Sequence, residues 1–111
     1  MTSLNNRLRD FGLGLSQISP NCYHYWRSGM VVPYVVWAEI GEQNALSAND
    51  RKQEQAIDGS VHLFTKTEFD PLIDTLQQYF NTVAGLSWYL ESVQFEDETG
   101  LIHYEWGFVI G

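Results

Sequence analysis

The first apolar pattern in the chain has the period of a helix. Four residues follow one another at intervals of four, three and four: Leu4, Leu8, Phe11 and Leu15. They form one stripe of a helix, which Thr2 or Ser3 can cap. Gly12 and Gly14 are expected to loosen this helix, and Pro20 to end it.

A second helix is predicted between Asp70 and Gly85. Asp70 can cap it, and Pro71 suits the first helical position, where no N–H is needed. An apolar stripe then runs through the segment: Leu72, Leu76, Tyr79, Phe80 and Val83. This pattern is typical of a helix that packs one face on a core.

Between the helices the pattern changes to that of strands. Residues 22–29 are aromatic and predict a short strand or an irregular connection, whereas residues 31–40 are apolar on both faces, as in a central strand. Residues 41–52 have loop composition and are long for a hairpin connection, which indicates function or mobility. Residues 53–66 alternate, with Ile57, Gly59, Val61 and Leu63 on one side and Asp58, Ser60, His62 and Phe64 on the other.

The chain ends in a predicted hairpin, in which residues 87–95 and 101–110 are joined by the turn 96–100. One face of its last strand is apolar: Ile102, Tyr104, Trp106, Phe108 and Ile110. The order helix, strands, helix, hairpin predicts an α+β fold over residues 1–111 as a single domain. We expect a mostly antiparallel sheet of four or five strands with two helices packed on one face.

Charge is distributed unevenly along the chain. Residues 1–66 carry six acidic and six basic residues, whereas residues 67–111 carry eight acidic residues and no Lys or Arg. Nucleic-acid binding depends on Lys and Arg, so we expect none. A basic protein surface is the more natural partner, because complementary potentials favour association.

The cysteine count and the hydropathy pattern exclude some further classes of protein. Cys22 is the only cysteine, which excludes an internal disulfide and a metal site made of thiolates alone. No segment approaches the roughly 20 apolar residues of a membrane helix. We therefore expect a soluble, unexported protein of a reducing cytoplasm, without a membrane partner.

The acidic hairpin raises the question of a metal or catalytic site. His103 and Glu105 project from one face of a strand, and Glu96, Asp97 and Glu98 offer further carboxylates. A specific metal site needs three or four converging ligands, and the turn separates these acids from His103. A solvated tip and an exposed strand face are the favoured interpretation, and a metal-dependent enzyme that uses His103 and Glu105 remains an alternative.

Three other motifs are weaker candidates for a catalytic or ligand-binding site. Cys22 and His24 could act as a nucleophile and a base, but no third group to orient them is evident. The stretch SANDRK lacks the calcium-loop pattern, and the GLG of residues 12–14 lacks the context of a phosphate loop. We predict no catalytic residues, no cofactor and no metal.

The sequence favours a function in protein assembly over one in catalysis. A sheet with helices on one face and apolar residues on both faces predicts oligomerisation, with Trp37 and Trp106 as candidate interface residues. Arg51 and Lys52 are candidates to meet the acids Glu96–Glu98 of a neighbouring subunit or partner. The alternative is that the first helix and the 41–52 segment cover the second face within one subunit.

Several stretches resemble a known family over about residues 20–110. The most specific are YVVWAE, ANDRKQEQ, G-x-V-x-L-F-T-K-x-E-x-D-P and ETGLIHYEW. They are similar to small minor tail or tail-completion proteins of long-tailed phages and prophages of Gram-positive bacteria. These look like relatives of tail-terminator and tail-to-head joining proteins. The resemblance implies an α+β subunit without catalytic residues or cofactor, forming a ring, usually a hexamer, between the tail tube protein and the head connector protein.

The expected function is therefore structural, in the virion tail and, before assembly, in the host cytoplasm. An alternative of another class is a small acidic inhibitor or immunity-type protein that covers a basic site on an enzyme. The base-free segment 67–111 is the reason to keep this alternative.

Overall fold

A five-stranded sheet carries two helices, and a separate pair of short strands completes the fold. The computed structural model describes residues 3–27, 29, 31–42 and 55–111, together with the backbone of residues 47–48 and 51–52. In chain order the elements are α1 (Leu4–Ile18), β1 (Cys22–His24), β2 (Tyr34–Glu42), β3 (Ser47–Ala48), β4 (Arg51–Lys52), β5 (Ile57–Thr65), α2 (Pro71–Thr82), β6 (Leu86–Glu96) and β7 (Leu101–Ile110). The predicted α+β class and element order are confirmed. The predicted loop 41–52 is wrong at its start, because Gly41 and Glu42 extend β2 and pair with β5. Further along this segment β3 and β4 pair with each other, and the rest of the prediction for it lies outside the described residues.

The strands of the main sheet lie in the order β1-β2-β5-β7-β6. β1 runs parallel to β2, and every other neighbouring pair is antiparallel. β2 has a partner on each side, as its apolar pattern predicts. The hairpin strands β6 and β7 pair along their whole length, so that β1 and β6 form the two edges of the sheet.

Both helices begin at the caps that the sequence indicates. The Ser3 hydroxyl accepts a hydrogen bond from the Asn6 amide at 3.1 Å, and the Asp70 carboxylate accepts one from the Leu72 amide at 2.9 Å. Each bond satisfies one amide of a first turn that has no partner inside the helix. Asp70 is itself held by the Thr65 hydroxyl, which donates to its other oxygen at 2.6 Å. The second helix is thereby tied to the end of β5.

Gly12 and Gly14 do not loosen α1, which continues past both of them. They are instead the points where the helix meets its neighbours most closely. A Cβ atom at Gly12 would overlap the indole of Trp37, and one at Gly14 would overlap the ring of Tyr79. Glycine therefore serves here for close approach rather than for chain flexibility.

The core lies between the two helices and one face of the sheet. Its buried residues are Phe11, Leu15, Val35, Trp37, Val61, Leu63, Leu76, Phe80, Trp106, Phe108 and Ile110. The ring of Phe11 meets the edge of Trp37 at a centroid distance of 5.7 Å, and Phe80 meets Trp106 in the same way at 5.6 Å. One aromatic residue from each helix thus packs on one strand tryptophan.

The opposite face of the sheet, which we call the open face, receives neither helix. It carries alternate residues of β5 and β7: Asp58, Ser60, His62 and Phe64, and Leu101, His103, Glu105, Gly107 and Val109. This division of β5 and β7 into two faces is the one that the sequence predicts. The prediction of two helices on one face is confirmed.

Replacing Gly12 by alanine tests the close packing of α1 on β2. We expect Gly12→Ala to lower the free energy of unfolding by about 1 to 3 kcal/mol, because the new methyl group displaces the buried Trp37 ring. This would occur although alanine is intrinsically the better helix former by about 1 kcal/mol. Denaturant unfolding measures the change. The control is Gln17→Ala, at an exposed position of α1, with an expected change within about 0.5 kcal/mol. Equal or higher stability of Gly12→Ala would contradict the packing argument.

Candidate functional site

Trp37 and Trp106 lie inside the chain rather than at its surface. Trp37 is 6% exposed and Trp106 is fully buried, and the indole N–H of Trp106 donates to Gln77 of α2 at 3.0 Å. The prediction that these two residues form a subunit interface is therefore wrong. Alternation along a strand separates two faces but does not say which of them the helices cover.

The acidic hairpin tip is a solvated turn. Asp97 and Glu98 are exposed, while the Thr99 hydroxyl lies 3.1 Å from a carboxylate oxygen of Glu96 and donates to it. The backbone amide of Gly100 closes the turn on the Glu96 carbonyl at 2.8 Å. The predicted basic counterparts, Arg51 and Lys52, form β4, and their side chains lie outside the described residues. Their pairing with the tip stays a prediction.

The open face brings together a histidine pair and a carboxylate. In the sheet register His62 of β5 lies opposite Glu105 of β7, and His103 is two residues from Glu105. His62 Nδ1 lies 2.7 Å from His103 Nε2, and one carboxylate oxygen of Glu105 lies within 4.8 Å of a ring nitrogen of each histidine. All three side chains are half-buried. We call this set the histidine–glutamate cluster.

Neighbouring residues hold the two imidazole rings of the cluster in place. The Ser60 hydroxyl lies 3.0 Å from His62 Nε2, the ring nitrogen that faces away from His103. Phe64 stacks on His103 with ring centroids 4.1 Å apart and an angle of 17° between the planes. Burial lowers the pKa of His62, the charge of Glu105 opposes this effect, and His103 adds to it. The neutral form of His62 is therefore favoured.

The sequence pairs His103 with Glu105 but misses His62. A spacing of two residues on one strand is visible in the sequence, whereas the contact with His62 depends on the register between β5 and β7. The polar side of the alternating 53–66 stretch was the available signal, since it places His62 on a half-polar face. It could not show which residue of another strand lies opposite.

A second histidine and carboxylate meet on the helix-bearing side, beside α1. His24 Nε2 lies 2.9 Å from Glu39 Oε2, and the hydroxyl of Tyr25 also donates to Glu39. Burial acts to raise the pKa of Glu39, but these hydrogen bonds outweigh it and lower the pKa. The pair lines a cleft of about 470 Å³, together with Leu13 of α1 and other residues. The ring of His24 stacks on that of Trp37 with the centroids 3.9 Å apart. The His24–Glu39 pair therefore lies directly over a core residue.

Cys22 lies near this cleft but is poorly suited to act as a nucleophile. Burial raises the pKa of its thiol to about 11, so the thiol stays protonated near neutral pH. A thiol attacks as the thiolate, and catalytic cysteines have lowered pKa values for that reason. His24, the base of the Cys22–His24 alternative, is directed to Glu39. Both observations favour a structural role for Cys22.

Two exposed apolar patches lie at opposite edges of the sheet. On the edge strand β6, the exposed residues are Leu90, Val93 and Phe95; we call them the β6 patch. Beside β1, the exposed residues are Leu13, Tyr25 and Trp26; we call them the β1 patch. Phe95 is 64% exposed and Trp26 is 76% exposed. Large contiguous patches of exposed apolar side chains are typical of surfaces that bind other proteins.

No protein-family model matches the chain, and no curated protein matches it. Among the described residues, no helix has both the length and the apolar character needed to cross a membrane.

The raised pKa of Cys22 can be tested by alkylation with iodoacetamide. With a pKa of about 11 instead of 9.0, we expect a thiolate fraction at pH 8 roughly 100-fold lower than that of an ordinary thiol, and alkylation slower by a similar factor. Mass spectrometry follows the reaction, and the same protein in denaturant is the control. Alkylation of the folded protein as fast as that of the denatured protein would contradict the assignment.

Proposed function

We propose that this protein is a structural component of a long-tailed phage, which assembles as a ring to terminate the tail tube, to join the tail to the head, or both. The family resemblance suggests the role. The observation that carries it is the pair of apolar patches, because they lie at the two opposite edges of one sheet. Self-assembly into a closed ring requires two different contact surfaces on each subunit, placed so that one subunit can follow the next.

A ring repeats one contact between two different surfaces of the subunit. If the two surfaces were the same patch, assembly would stop at a dimer with two-fold symmetry. The β6 patch and the β1 patch are different surfaces. Both lie on the side of the sheet that carries the helices, since Leu90 pairs in register with Trp106 and Leu13 belongs to α1. A dimer in which the β1 patch of one copy lies on the β6 patch of the other still has one free β1 patch and one free β6 patch, at which the same contact can be repeated.

Charge favours the same head-to-tail orientation. Arg9 of α1 lines the same cleft as Leu13 of the β1 patch, and it forms an exposed ion pair with Asp10 at 3.5 Å. The half that contains α2, β6 and β7 has no Lys or Arg, and Glu91 and Glu96 belong to the edge strand itself. Contact between the β1 edge of one copy and the β6 edge of the next would therefore bring Arg9 toward the carboxylates of the edge strand. Exposed ion pairs contribute only about 0 to 1 kcal/mol each, so apolar burial must supply most of the stability.

The acidic tip of the hairpin offers a surface for other virion proteins. Asp97 and Glu98 are exposed beyond the end of β6 and β7 and point away from the core. The overall dimensions of 52 × 25 × 24 Å show that the subunit is elongated. In a ring of such subunits, tips repeated around the axis would form an acidic surface suited to a basic face of the tail tube protein or of the head connector protein.

Two patch variants test the ring contact. We expect native mass spectrometry across a concentration series to show a ring of the unsubstituted protein. Phe95→Ser in the β6 patch and Trp26→Ser in the β1 patch should each abolish this ring. A mixture of the two variants keeps one intact contact, from the β1 patch of the Phe95→Ser chain to the β6 patch of the Trp26→Ser chain. The mixture should therefore form a mixed dimer and no ring.

The control is Ile40→Ser, which removes a side chain that is 70% exposed but belongs to neither patch. It should leave the ring intact. Rings in both patch variants, or a mixture that stays monomeric, would contradict the head-to-tail contact. If the unsubstituted protein is a monomer alone, polymerised tail tubes should recruit it as a ring, and failure to do so would also contradict the proposal.

Electron microscopy of phage tails made with and without the protein tests the role itself. Tails of uncontrolled length in its absence would support termination. Tails of normal length that lack heads would support joining. Infectious particles of normal appearance made without the protein would overturn the proposal.

The acidic surface supports a second candidate function. The base-free half of the chain is contiguous in the fold, since α2 contacts β6 and β6 pairs with β7. This surface suits an inhibitor or immunity-type protein that covers a basic site on an enzyme. A persistent monomer that binds one basic enzyme and inhibits it would favour this candidate over the ring.

A further inference from the structure

We propose that His62, His103 and Glu105 bind one divalent transition-metal ion, Zn²⁺ in particular, on the open face of the sheet. The proposal rests on the convergence of two imidazole nitrogens and one carboxylate from the paired strands β5 and β7. It does not depend on the ring proposed above.

The distances within the cluster are close to those that a metal ion needs. Two nitrogens bound to Zn²⁺ at about 2.0 to 2.1 Å lie about 3.3 Å apart in tetrahedral geometry. His62 Nδ1 and His103 Nε2 are now 2.7 Å apart, as a hydrogen-bonded pair. Small rotations of the two rings, of about 0.6 Å at the nitrogens, would admit the ion between them. A carboxylate oxygen of Glu105 already lies within 4.8 Å of a ring nitrogen of each histidine, inside the reach of its flexible side chain.

Ser60 prepares His62 as a ligand. When the Ser60 hydroxyl accepts a hydrogen bond from Nε2–H of His62, the other ring nitrogen, Nδ1, presents its lone pair to the cluster. His103 then donates its Nε2 proton to that lone pair in the metal-free protein. Binding of the ion requires His103 to carry this proton on Nδ1 instead, which is a change of tautomer with no change of charge. In metal sites the outer ring N–H of a ligand histidine commonly donates to an oxygen acceptor, which fixes the tautomer and the ring orientation.

The surroundings of the cluster limit the conformational entropy that the three ligand side chains lose when an ion binds. Phe64 stacks on His103, and β5 and β7 hold all three ligands in one fixed register. The side chains are half-buried, so each has lost part of its freedom before the ion arrives. Glu105 supplies negative charge against the ion. The fourth position faces the solvent side of the sheet, where water would complete a tetrahedral set.

The donor set determines the class of ion. Imidazole nitrogens suit Zn²⁺, Cu²⁺, Ni²⁺ and Co²⁺, whereas Ca²⁺ and Mg²⁺ prefer sites made of oxygen atoms. Two nitrogens and one carboxylate with one open position fit Zn²⁺ best, because this ion accepts four ligands without a strong geometric demand. We expect Co²⁺ to occupy the same site and to report its geometry by its visible absorption spectrum.

Titration of the metal-free protein, without an affinity tag, tests the site. Isothermal titration calorimetry with Zn²⁺ should give one ion per chain, and Co²⁺ should give visible bands of a four- or five-coordinate site. Loss of an outer partner typically lowers metal affinity 10- to 100-fold, so His62→Ala, His103→Ala and Glu105→Gln should each lower it by about 100-fold or more. Zn²⁺ at 100 times its Kd should raise the Tm by about 10 °C, and the three variants should lose this rise.

The matched control is His24→Ala, which removes the histidine that lies 2.9 Å from a carboxylate oxygen of Glu39. This variant should bind Zn²⁺ as tightly as the unsubstituted protein and should keep the rise in Tm. The proposal is overturned if the folded protein binds neither Zn²⁺ nor Co²⁺ at millimolar concentration. It is equally overturned if the three cluster variants bind as the unsubstituted protein does, or if His24→Ala alone loses the ion. Circular dichroism of each variant separates lost binding from lost folding.

Discussion

The register between β5 and β7 is the constraint on which the rest of the structure depends. These two strands pair over their full length at the centre of the sheet, and each residue of one is fixed against a residue of the other. Val61 lies opposite Trp106 on the face that the helices cover, and His62 lies opposite Glu105 on the open face. A slip of one residue would move the apolar set to solvent and turn the histidine into the core. Burial of Trp106 and assembly of the histidine–glutamate cluster are thus two results of one alignment.

The position of the helices follows from this alignment and decides which surfaces remain available. Each helix contributes an aromatic residue to the covered face, Phe11 from α1 and Phe80 from α2, and α1 comes close enough only because Gly12 has no side chain. The two helices do not cover the outer part of the eleven-residue edge strand β6, and its apolar side chains there stay exposed. The surface that we assign to assembly is therefore a direct consequence of how the core is closed.

The edges and the open face offer separate chemistry. The two apolar patches lie at β6 and beside β1, whereas the histidine–glutamate cluster lies on β5 and β7 between them. A neighbouring subunit at either edge would leave the cluster accessible, and an ion in the cluster would leave the edges unchanged. The acidic character of residues 67–111 affects both the edges and the cluster, because negative charge favours a basic neighbour at an edge and a bound cation in the cluster.

By itself, the sequence determined the class of fold, the order of its elements, the two helix caps and the alternation of β5 and β7, because these depend on neighbours along the chain. It also indicated the pair His103 and Glu105, which one strand brings together. Only the tertiary structure decided that Trp37 and Trp106 are core residues, that Gly12 marks a close contact, and that His62 joins the cluster. Each of these depends on which face a helix covers or which residue lies opposite in another strand. Such contacts join positions far apart in the sequence, and local patterns carry no information about them.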